Sequence, residues 1–168
     1  MERTLTYKIT NPMPGQKVSG FLKTKGFSTQ NLINLKKDPE SVQVNGKFVY
    51  QNYILQDGDA LRITICETEG SEQILPAELP WALPLDIVYE DEDLLVINKA
   101  AGMPIHPSLH NYDNSLGNAL AWYFRQKNTP FVFRCINRLD RDTSGLTIVA
   151  KHMVSGAILG QQVAAKSL

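Results

Sequence analysis

A short charged segment between two apolar stretches carries the side chains of this sequence that are best suited to chemistry. It reads Asn-Arg-Leu-Asp-Arg-Asp-Thr-Ser-Gly over residues 137–145, and the strand-like stretches 131–136 and 146–150 flank it. A tight turn between strands needs only residues such as Asn-Gly or Asp-Gly. This charged loop instead holds two carboxylates, two guanidinium groups and two hydroxyls, which favours a binding or catalytic site over a plain connection.

Asp140 and Asp142 are the candidate reactive groups, because a carboxylate can act as a base, a metal ligand or a covalent nucleophile. A metal site needs several converging oxygen ligands, and the adjacent Arg138 and Arg141 would repel a cation. The two guanidinium groups instead favour the ionised carboxylate and attract phosphate groups. A nucleophilic carboxylate beside phosphate-binding arginines fits chemistry on a nucleic acid better than metal-dependent hydrolysis, so we expect no metal.

Composition indicates a globular chain whose charge is unevenly distributed. The 168 residues are 43% hydrophobic and 20% charged, and the formal net charge is zero. Residues 71–98 hold seven acidic and no basic side chains, whereas residues 121–168 hold seven basic and two acidic ones. This distribution is compatible with a surface that binds a polyanion. No hydrophobic stretch suits a membrane span or a secretory signal, so a cytoplasmic location without a membrane partner is expected.

The first 66 residues combine short strand patterns with two short helix patterns. Strands are predicted over residues 4–10, 48–55 and 61–66, and helices over residues 17–25 and 28–37. Ser28 is a suitable N-cap for the second helix, and the pair Asn45-Gly46 predicts a hairpin turn. Six lysines lie on or beside these elements, and they indicate either a solvated face or a surface for RNA: Lys17, Lys23, Lys25, Lys36, Lys37 and Lys47.

The order of these elements resembles the alpha-L RNA-binding motif over residues 15–66. The matching residues are Phe21-Leu22, Ser28, Leu32-Ile33, the segment from Val42 to Lys47 and the segment from Leu55 to Asp59. This resemblance implies that residues 1–70 form an RNA-binding module. The side chains expected to contact RNA there are Lys23, Lys25, Lys36 and Lys47.

Residues 71–84 are predicted to be a linker, because they are acidic and have prolines at positions 76, 80 and 84. Further strands are predicted over residues 85–89 and 94–99, and a helix over residues 115–127. A last amphipathic helix is predicted to follow residue 152. The predicted fold class is therefore α+β, with a two-helix and β-hairpin module followed by a domain that has a mixed, mainly antiparallel sheet.

Residues 138–146 closely resemble the catalytic-loop signature of the RluA/RluD-type pseudouridine synthases. A second segment, residues 89–107, is similar to the first motif of that family, and an alpha-L motif is a common N-terminal partner of its catalytic domain. Asn137 stands where the family usually has His, and we expect this substitution to be tolerated. The resemblance implies that residues 85–168 are the N-terminal portion of a catalytic domain that continues further in the family. We therefore expect an incomplete active site in this chain.

The resemblance also implies a reaction and a role for each residue of the loop. Asp140 is the expected nucleophile, which attacks a target uridine at the base or the sugar. The base then leaves its glycosidic nitrogen, rotates and is rejoined through carbon 5, without a cofactor or a metal. Arg138 is expected to fill the space of the flipped uridine, and Arg141 to hold phosphate. The other expected RNA contacts are Lys99 and His106, and the residues expected to position the loop are Thr143, Ser144 and Gly145.

Two functions remain open at this point. The first is an RNA uridine isomerase that acts on ribosomal RNA or on transfer RNA. The second is a non-catalytic RNA-binding protein, or an inactive fragment, that relies on residues 1–70. The position of Asp140 between two arginines favours the enzyme, since a binding protein has no need of that carboxylate. Hydrolysis by Asp140 and Asp142 lacks a metal or a general-base partner in the sequence.

Overall fold

A computed structural model of the chain describes residues 1–67, 84–108 and 112–167. The contacts divide the chain into two units, one formed by Glu2–Cys66 and one that begins at Glu67 and includes Met1. Both units contain helices and an antiparallel sheet, which confirms the predicted α+β class. The predicted linker, residues 71–84, lies outside the described residues except for Pro84. The predicted domain boundaries therefore stay predictions.

The first unit contains a four-stranded antiparallel sheet, two short helices and a 3-10 helix at Pro39–Ser41. The helices are α1 (Val18–Thr24) and α2 (Thr29–Leu35). The strands are β1 (Glu2–Lys8), β2 (Val42–Val44), β3 (Lys47–Phe48) and β4 (Ala60–Cys66), in the order β1-β4-β2-β3. Alternate residues of the central β4 point into the core of the unit, and they are Leu61, Ile63 and Ile65.

The predicted turn at Asn45-Gly46 joins β2 to β3. Both residues have positive φ angles, +53° for Asn45 and +76° for Gly46, as a two-residue hairpin turn requires. The side-chain amide of Asn45 donates through Nδ2 to Oδ1 of Asp59 over 2.8 Å. Its Oδ1 accepts from the main-chain N–H of Ala60 over 2.9 Å. These bonds connect the two segments that carry most of the resemblance to the alpha-L motif.

The predicted strand over residues 48–55 is wrong beyond Phe48. The carbonyl oxygens of Gln51 and Tyr53 accept hydrogen bonds from Ser19 and Val18 at the start of α1, over 2.9 and 3.0 Å. These bonds satisfy N–H groups that an uncapped helix start leaves without partners, and α1 has no side-chain cap. The segment therefore caps a helix and does not extend the sheet.

The second unit contains a four-stranded antiparallel sheet in the order β5-β6-β8-β7. Its strands are β5 (Ile87–Glu90), β6 (Leu94–Lys99), β7 (Arg134–Cys135) and β8 (Gly145–Ala150). Its helices are α3 (Leu116–Gln126) and α4 (Met153–Ala164). The core is formed by apolar side chains of the sheet, of α3 and of the segment before β7, among them Leu95, Ile97, Leu120, Phe124, Phe131 and Val149.

Three of the four α-helices in the described part of the chain begin at a side-chain cap. Ser28 accepts from the main-chain N–H of Asn31, as predicted, and Ser115 accepts from that of Asn118. His152 has the same role for α4, since its Nδ1 accepts from the N–H of Ser155 over 3.2 Å.

Among the described residues, no helix has the length and apolar character needed to cross a bilayer.

Candidate active site

The charged loop lies where β6 ends and β8 begins. Gly145, the first residue of β8, pairs with Lys99, the last residue of β6. The segment that follows Lys99 therefore runs beside the charged loop. The N–H of Gly102, whose φ is +84°, donates to the carbonyl oxygen of Arg141 over 2.9 Å. Two segments that the sequence singled out separately are thus brought into direct contact.

Lys99 is buried beneath this contact. Its side chain is 1% exposed, and Nζ donates to the carbonyl oxygens of Ala100, Met103 and Arg141 over 2.9, 2.8 and 3.0 Å. An ammonium group has three donors, so its full capacity is used. Burial lowers the pKa of Lys99, and the carboxylates of Asp142 and Asp140 partly oppose this shift. This position does not fit the expected RNA contact of Lys99, and it suits a residue that positions the loop.

Asp140 and both arginines of the loop are exposed. The carbonyl oxygen of Asp140 accepts from the N–H of Thr143 over 3.1 Å, which closes a turn with the aspartate at the surface. Nε of Arg141 lies 3.4 Å from Oδ1 of Asp142, and these side chains are 60% and 82% exposed. An ion pair that is this exposed contributes little to stability. The guanidinium group of Arg141 can therefore leave Asp142 for a phosphate at small cost.

Asn137 holds the first half of the charged loop against β8. Its Nδ2 donates to the carbonyl oxygen of Leu146 over 2.9 Å, and its Oδ1 accepts from the N–H of Ile148 over 2.7 Å. One side chain thus satisfies both types of main-chain group on the strand. From the sequence, Asn137 was recognised only as a departure from the family pattern. The available signal for its positioning role was its side-chain amide, which carries both a donor and an acceptor directly after a predicted strand.

The residues at the end of the loop have different environments. Thr143 and Ser144 are exposed, and side-chain bonds from them stay a prediction. Gly145 has a φ angle of +144°, and a Cβ atom there would lie 3.6 Å from Cδ1 of Leu139. That distance is an ordinary contact, so backbone conformation and not lack of space favours glycine at this position.

His106 is exposed on the segment that runs beside the charged loop. Its ring lies edge-to-face with Phe133, with centroids 4.9 Å apart and planes at 70°. Burial lowers the pKa of His106, and the positive charge of Arg138 lowers it further. Both effects favour the neutral imidazole, which can offer a hydrogen bond or a ring face to RNA.

Two further polar groups near the loop are unsuited to catalysis. Burial raises the pKa of Cys135 to about 11, although Arg138 opposes the shift, and its Sγ donates to the carbonyl oxygen of Asn137 over 3.0 Å. The hydroxyl of Thr147 is buried and has no partner among the described residues. In the same described part of the chain, no three His, Cys, Asp or Glu side chains are grouped to hold a metal ion.

The lysines of the first unit that were predicted to contact RNA are all exposed. Lys23 lies in the last turn of α1, and Lys25 follows that helix with its Nζ 5.3 Å from the centroid of Phe21. Lys36 is the C-cap of α2, and Lys47 is the first residue of β3. Their ammonium groups are accessible to phosphate, and the RNA contacts themselves stay a prediction.

One known protein resembles this chain along almost its whole length, and others match parts of it. A family model described as RNA pseudouridylate synthase matches residues 93–168. The Bacillus subtilis protein named uncharacterized RNA pseudouridine synthase YhcT is 34% identical over 166 residues, which are 99% of this chain and 53% of that protein. The ribosomal large subunit pseudouridine synthase D of Zymomonas mobilis is 47% identical over 93 residues, which are 53% of this chain and 29% of that protein.

Among solved structures, a human protein described as RNA pseudouridylate synthase domain containing 4 is similar, with a TM-score of 0.40 and 24% identity. This similarity covers 48% of the present chain and 30% of the human one. Although the match covers 99% of this chain, the chain spans only about half the length of the Bacillus subtilis relative.

Proposed function

We propose that the chain, which belongs to the RNA pseudouridylate synthase family through residues 93–168, carries the nucleophile of an RNA uridine isomerase. The observation that supports this proposal is the exposed Asp140 between two exposed arginines, on a loop held from beneath by the buried Lys99. A purely structural turn would not need a carboxylate in this setting. The matching family model agrees with the resemblance that residues 138–146 show.

In the proposed reaction the carboxylate of Asp140 attacks the target uridine at its base or its sugar. The bond between C1′ and N1 breaks, the base rotates, a bond between C1′ and C5 forms, and the bond to Asp140 breaks again, which restores the free carboxylate. The proton on C5 then leaves to solvent and N1 gains one, so the product is an isomer of the uridine. No step of this sequence consumes a second substrate.

Arg138 and Arg141 provide the positive charge that this reaction needs around an RNA strand. The target uridine must leave its stack, which costs a few kcal/mol in typical cases. A planar guanidinium group can stack in the space that the base vacates, and we assign this role to Arg138. Arg141 is assigned to a phosphate of the same strand, because its ion pair with Asp142 is exposed and weak.

The substrate class that we propose is ribosomal RNA. Its support is the relative from Zymomonas mobilis, whose name assigns it to the large ribosomal subunit. Transfer RNA is the alternative substrate, and both can be compared in one assay.

The test is release of tritium from RNA labelled at position 5 of uridine, with the full-length gene product and each RNA class as substrate. Asp140→Asn removes the nucleophile and should abolish release. The matched control is Asp142→Asn, which makes the same change two residues further along the same loop, and it should keep most of the activity. Release at the wild-type rate by Asp140→Asn contradicts the proposal.

The other candidate, a non-catalytic RNA-binding protein, is supported by the charge of the first unit. Residues 2–66 hold nine basic and five acidic side chains. This candidate predicts RNA binding that falls steeply with salt and no tritium release by any variant. The isomerase assay therefore separates the two functions directly.

A further inference from the structure

A pocket of about 750 Å³ lies within the first unit. Its wall is formed by the start of α1, the segment from the end of α2 to β2, and residues 48–52. Its volume is within the range of pockets that bind small molecules, roughly 300–1,000 Å³. None of the RNA-contact positions predicted from the sequence explains an opening of this size, although Lys36 forms part of its wall.

Two exposed aromatic side chains line this pocket. Phe48 is 55% exposed and Tyr50 is 86% exposed. Exposed apolar surface of this kind often marks an interaction site, and aromatic rings bind best to flat partners that stack on them. The pocket therefore offers two accessible aromatic side chains to a ligand that enters it.

The segment that carries these rings is held in place by the rest of the unit. The buried side chain of Gln51 donates through Nε2 to the carbonyl oxygen of Leu32 over 2.8 Å. The carbonyl oxygen of Gln51 accepts from the N–H of Ser19 over 2.9 Å, and that of Tyr50 accepts from Tyr53 over the same distance. A partner would thus meet rings whose backbone is already ordered, which reduces the entropy cost of binding.

Basic side chains lie on the same wall as the rings. Lys17 and Lys36 both line the pocket, and Lys47 directly precedes Phe48 in the chain. Asp38 also lines the pocket, but its Oδ1 accepts from the N–H of Glu40 over 2.9 Å and so caps the 3-10 helix. Ammonium groups beside stacking rings are the combination by which proteins bind single-stranded nucleic acid.

We propose that this pocket binds an unpaired nucleotide of single-stranded RNA. Its base stacks on Tyr50, the more exposed of the two rings, and the neighbouring phosphates lie against Lys17 and Lys36. A duplex would not suit the pocket, because pairing and stacking cover the faces of its bases. The inference deepens the proposed function, since it takes RNA as the ligand, but it does not depend on catalysis by Asp140.

The test is the fluorescence anisotropy of the whole chain with a labelled oligouridylate of about eight nucleotides, a length typical of such sites, and with a blunt RNA duplex. Tyr50→Leu keeps apolar bulk but removes the ring, and it should weaken single-strand binding by roughly 5- to 100-fold. Tyr50→Phe keeps the ring and should bind like the wild type. Met13→Ala, which removes another exposed apolar side chain of the same unit, is the matched control.

The basic side chains are tested by the salt dependence of the same binding. Lys17→Gln and Lys36→Gln should each reduce the slope of log affinity against log salt by about 0.7, the value for one phosphate of a single strand. Lys8→Gln, an exposed change in β1 that does not line the pocket, should leave that slope unchanged.

Three results would overturn the proposal. The first is wild-type single-strand affinity in Tyr50→Leu, and the second is an equal loss of duplex affinity in that variant. The third is a dimer in sedimentation that Tyr50→Leu dissociates, which would make this wall a contact between copies of the chain. Asp140→Asn should keep the single-strand affinity. A negative result in the isomerase assay can therefore be distinguished from a negative result in the binding assay.

Discussion

The ammonium group of Lys99 donates to the carbonyl oxygen of Arg141 over 3.0 Å and connects the end of β6 to the loop that carries Asp140. The same carbonyl oxygen also accepts from the N–H of Gly102. Burial of a lysine costs free energy of folding unless all of its donors have acceptors. Here three carbonyl oxygens accept from them. The position of the proposed nucleophile thus depends on a side chain that the sequence assigned to RNA contact.

Lys99→Met should therefore disturb the charged loop more than the replacement of an exposed lysine would. The change removes the donor that the carbonyl oxygens of Ala100 and Met103 share, and one of the two donors of the Arg141 carbonyl oxygen. We expect a loss of about 2–4 kcal/mol in the free energy of unfolding. Hydrogen exchange should show lower protection of the Gly102 N–H, because that bond ends on the same oxygen. Tritium release should fall through kcat. Lys8→Met, at an exposed site, is the control, and equal protection of Gly102 in both variants would contradict this role.

Asn137 is the second residue on which the loop depends, and three substitutions separate its two bonds. Asn137→Ala loses both and should destabilise the protein by about 1–3 kcal/mol. Asn137→Asp keeps the acceptor for Ile148 but places a carboxylate oxygen against the carbonyl oxygen of Leu146, so it should cost at least as much. Asn137→His can keep only one of the bonds and should cost about 1 kcal/mol. Urea unfolding at pH 7 measures all three.

The opposite order, with Asn137→His as the most harmful change, would contradict this account. It would mean that the ring cannot fit beside β8. The sequence led us to expect that Asn137 is tolerated at a position where the family usually has His, and the same experiment also bears on that expectation.

The features that the sequence predicted are those whose cause is local. Ser28 caps α2 and Asn45-Gly46 forms the hairpin turn, because each depends on contacts within a few residues. The strand over residues 94–99 was also predicted with its exact bounds, since it is a continuous apolar run closed by polar residues. Local chemistry thus made the cap, the hairpin turn and this strand predictable from the sequence.

The features that were missed depend on contacts between distant segments. The burial of Lys99 follows from the pairing of β6 with β8, and the loss of a strand after Phe48 follows from bonds to α1. The pattern of one segment contains no information on which other segment will accept its hydrogen bonds. For the same reason the sequence identified the residues of the charged loop, but not Asn137 and Lys99 as the side chains that hold it.

Thr147 provides a test of stability in the strand that leaves the charged loop. Its side chain is fully buried, and its hydroxyl has no partner among the described residues. Thr147→Val replaces that hydroxyl with a methyl group of similar size and should raise the free energy of unfolding by about 1 kcal/mol. Thr147→Ser keeps the hydroxyl, removes the methyl group and should destabilise the protein. A less stable Thr147→Val variant would show that the hydroxyl has a partner.

Glu90 should make stability depend on pH in the acidic range. Burial alone would raise the pKa of Glu90, but hydrogen bonds from Tyr123, Lys151 and Lys127 outweigh it and lower the pKa. The two shortest of these bonds are 2.6 Å from Tyr123 and 3.0 Å from Lys151. Because the folded protein holds the proton more weakly than the unfolded chain does, the carboxylate stabilises the fold above the unfolded pKa of about 4.5.

That contribution is lost as the pH falls through the lowered pKa of the folded state. Glu90→Gln should therefore lower the free energy of unfolding by about 1–2 kcal/mol at pH 7, within the range for hydrogen bonds to charged groups. It should also flatten the fall in stability between about pH 5 and pH 3. Urea unfolding at several pH values measures both effects. Parallel pH profiles for the wild type and Glu90→Gln would show that other carboxylates cause the acid sensitivity.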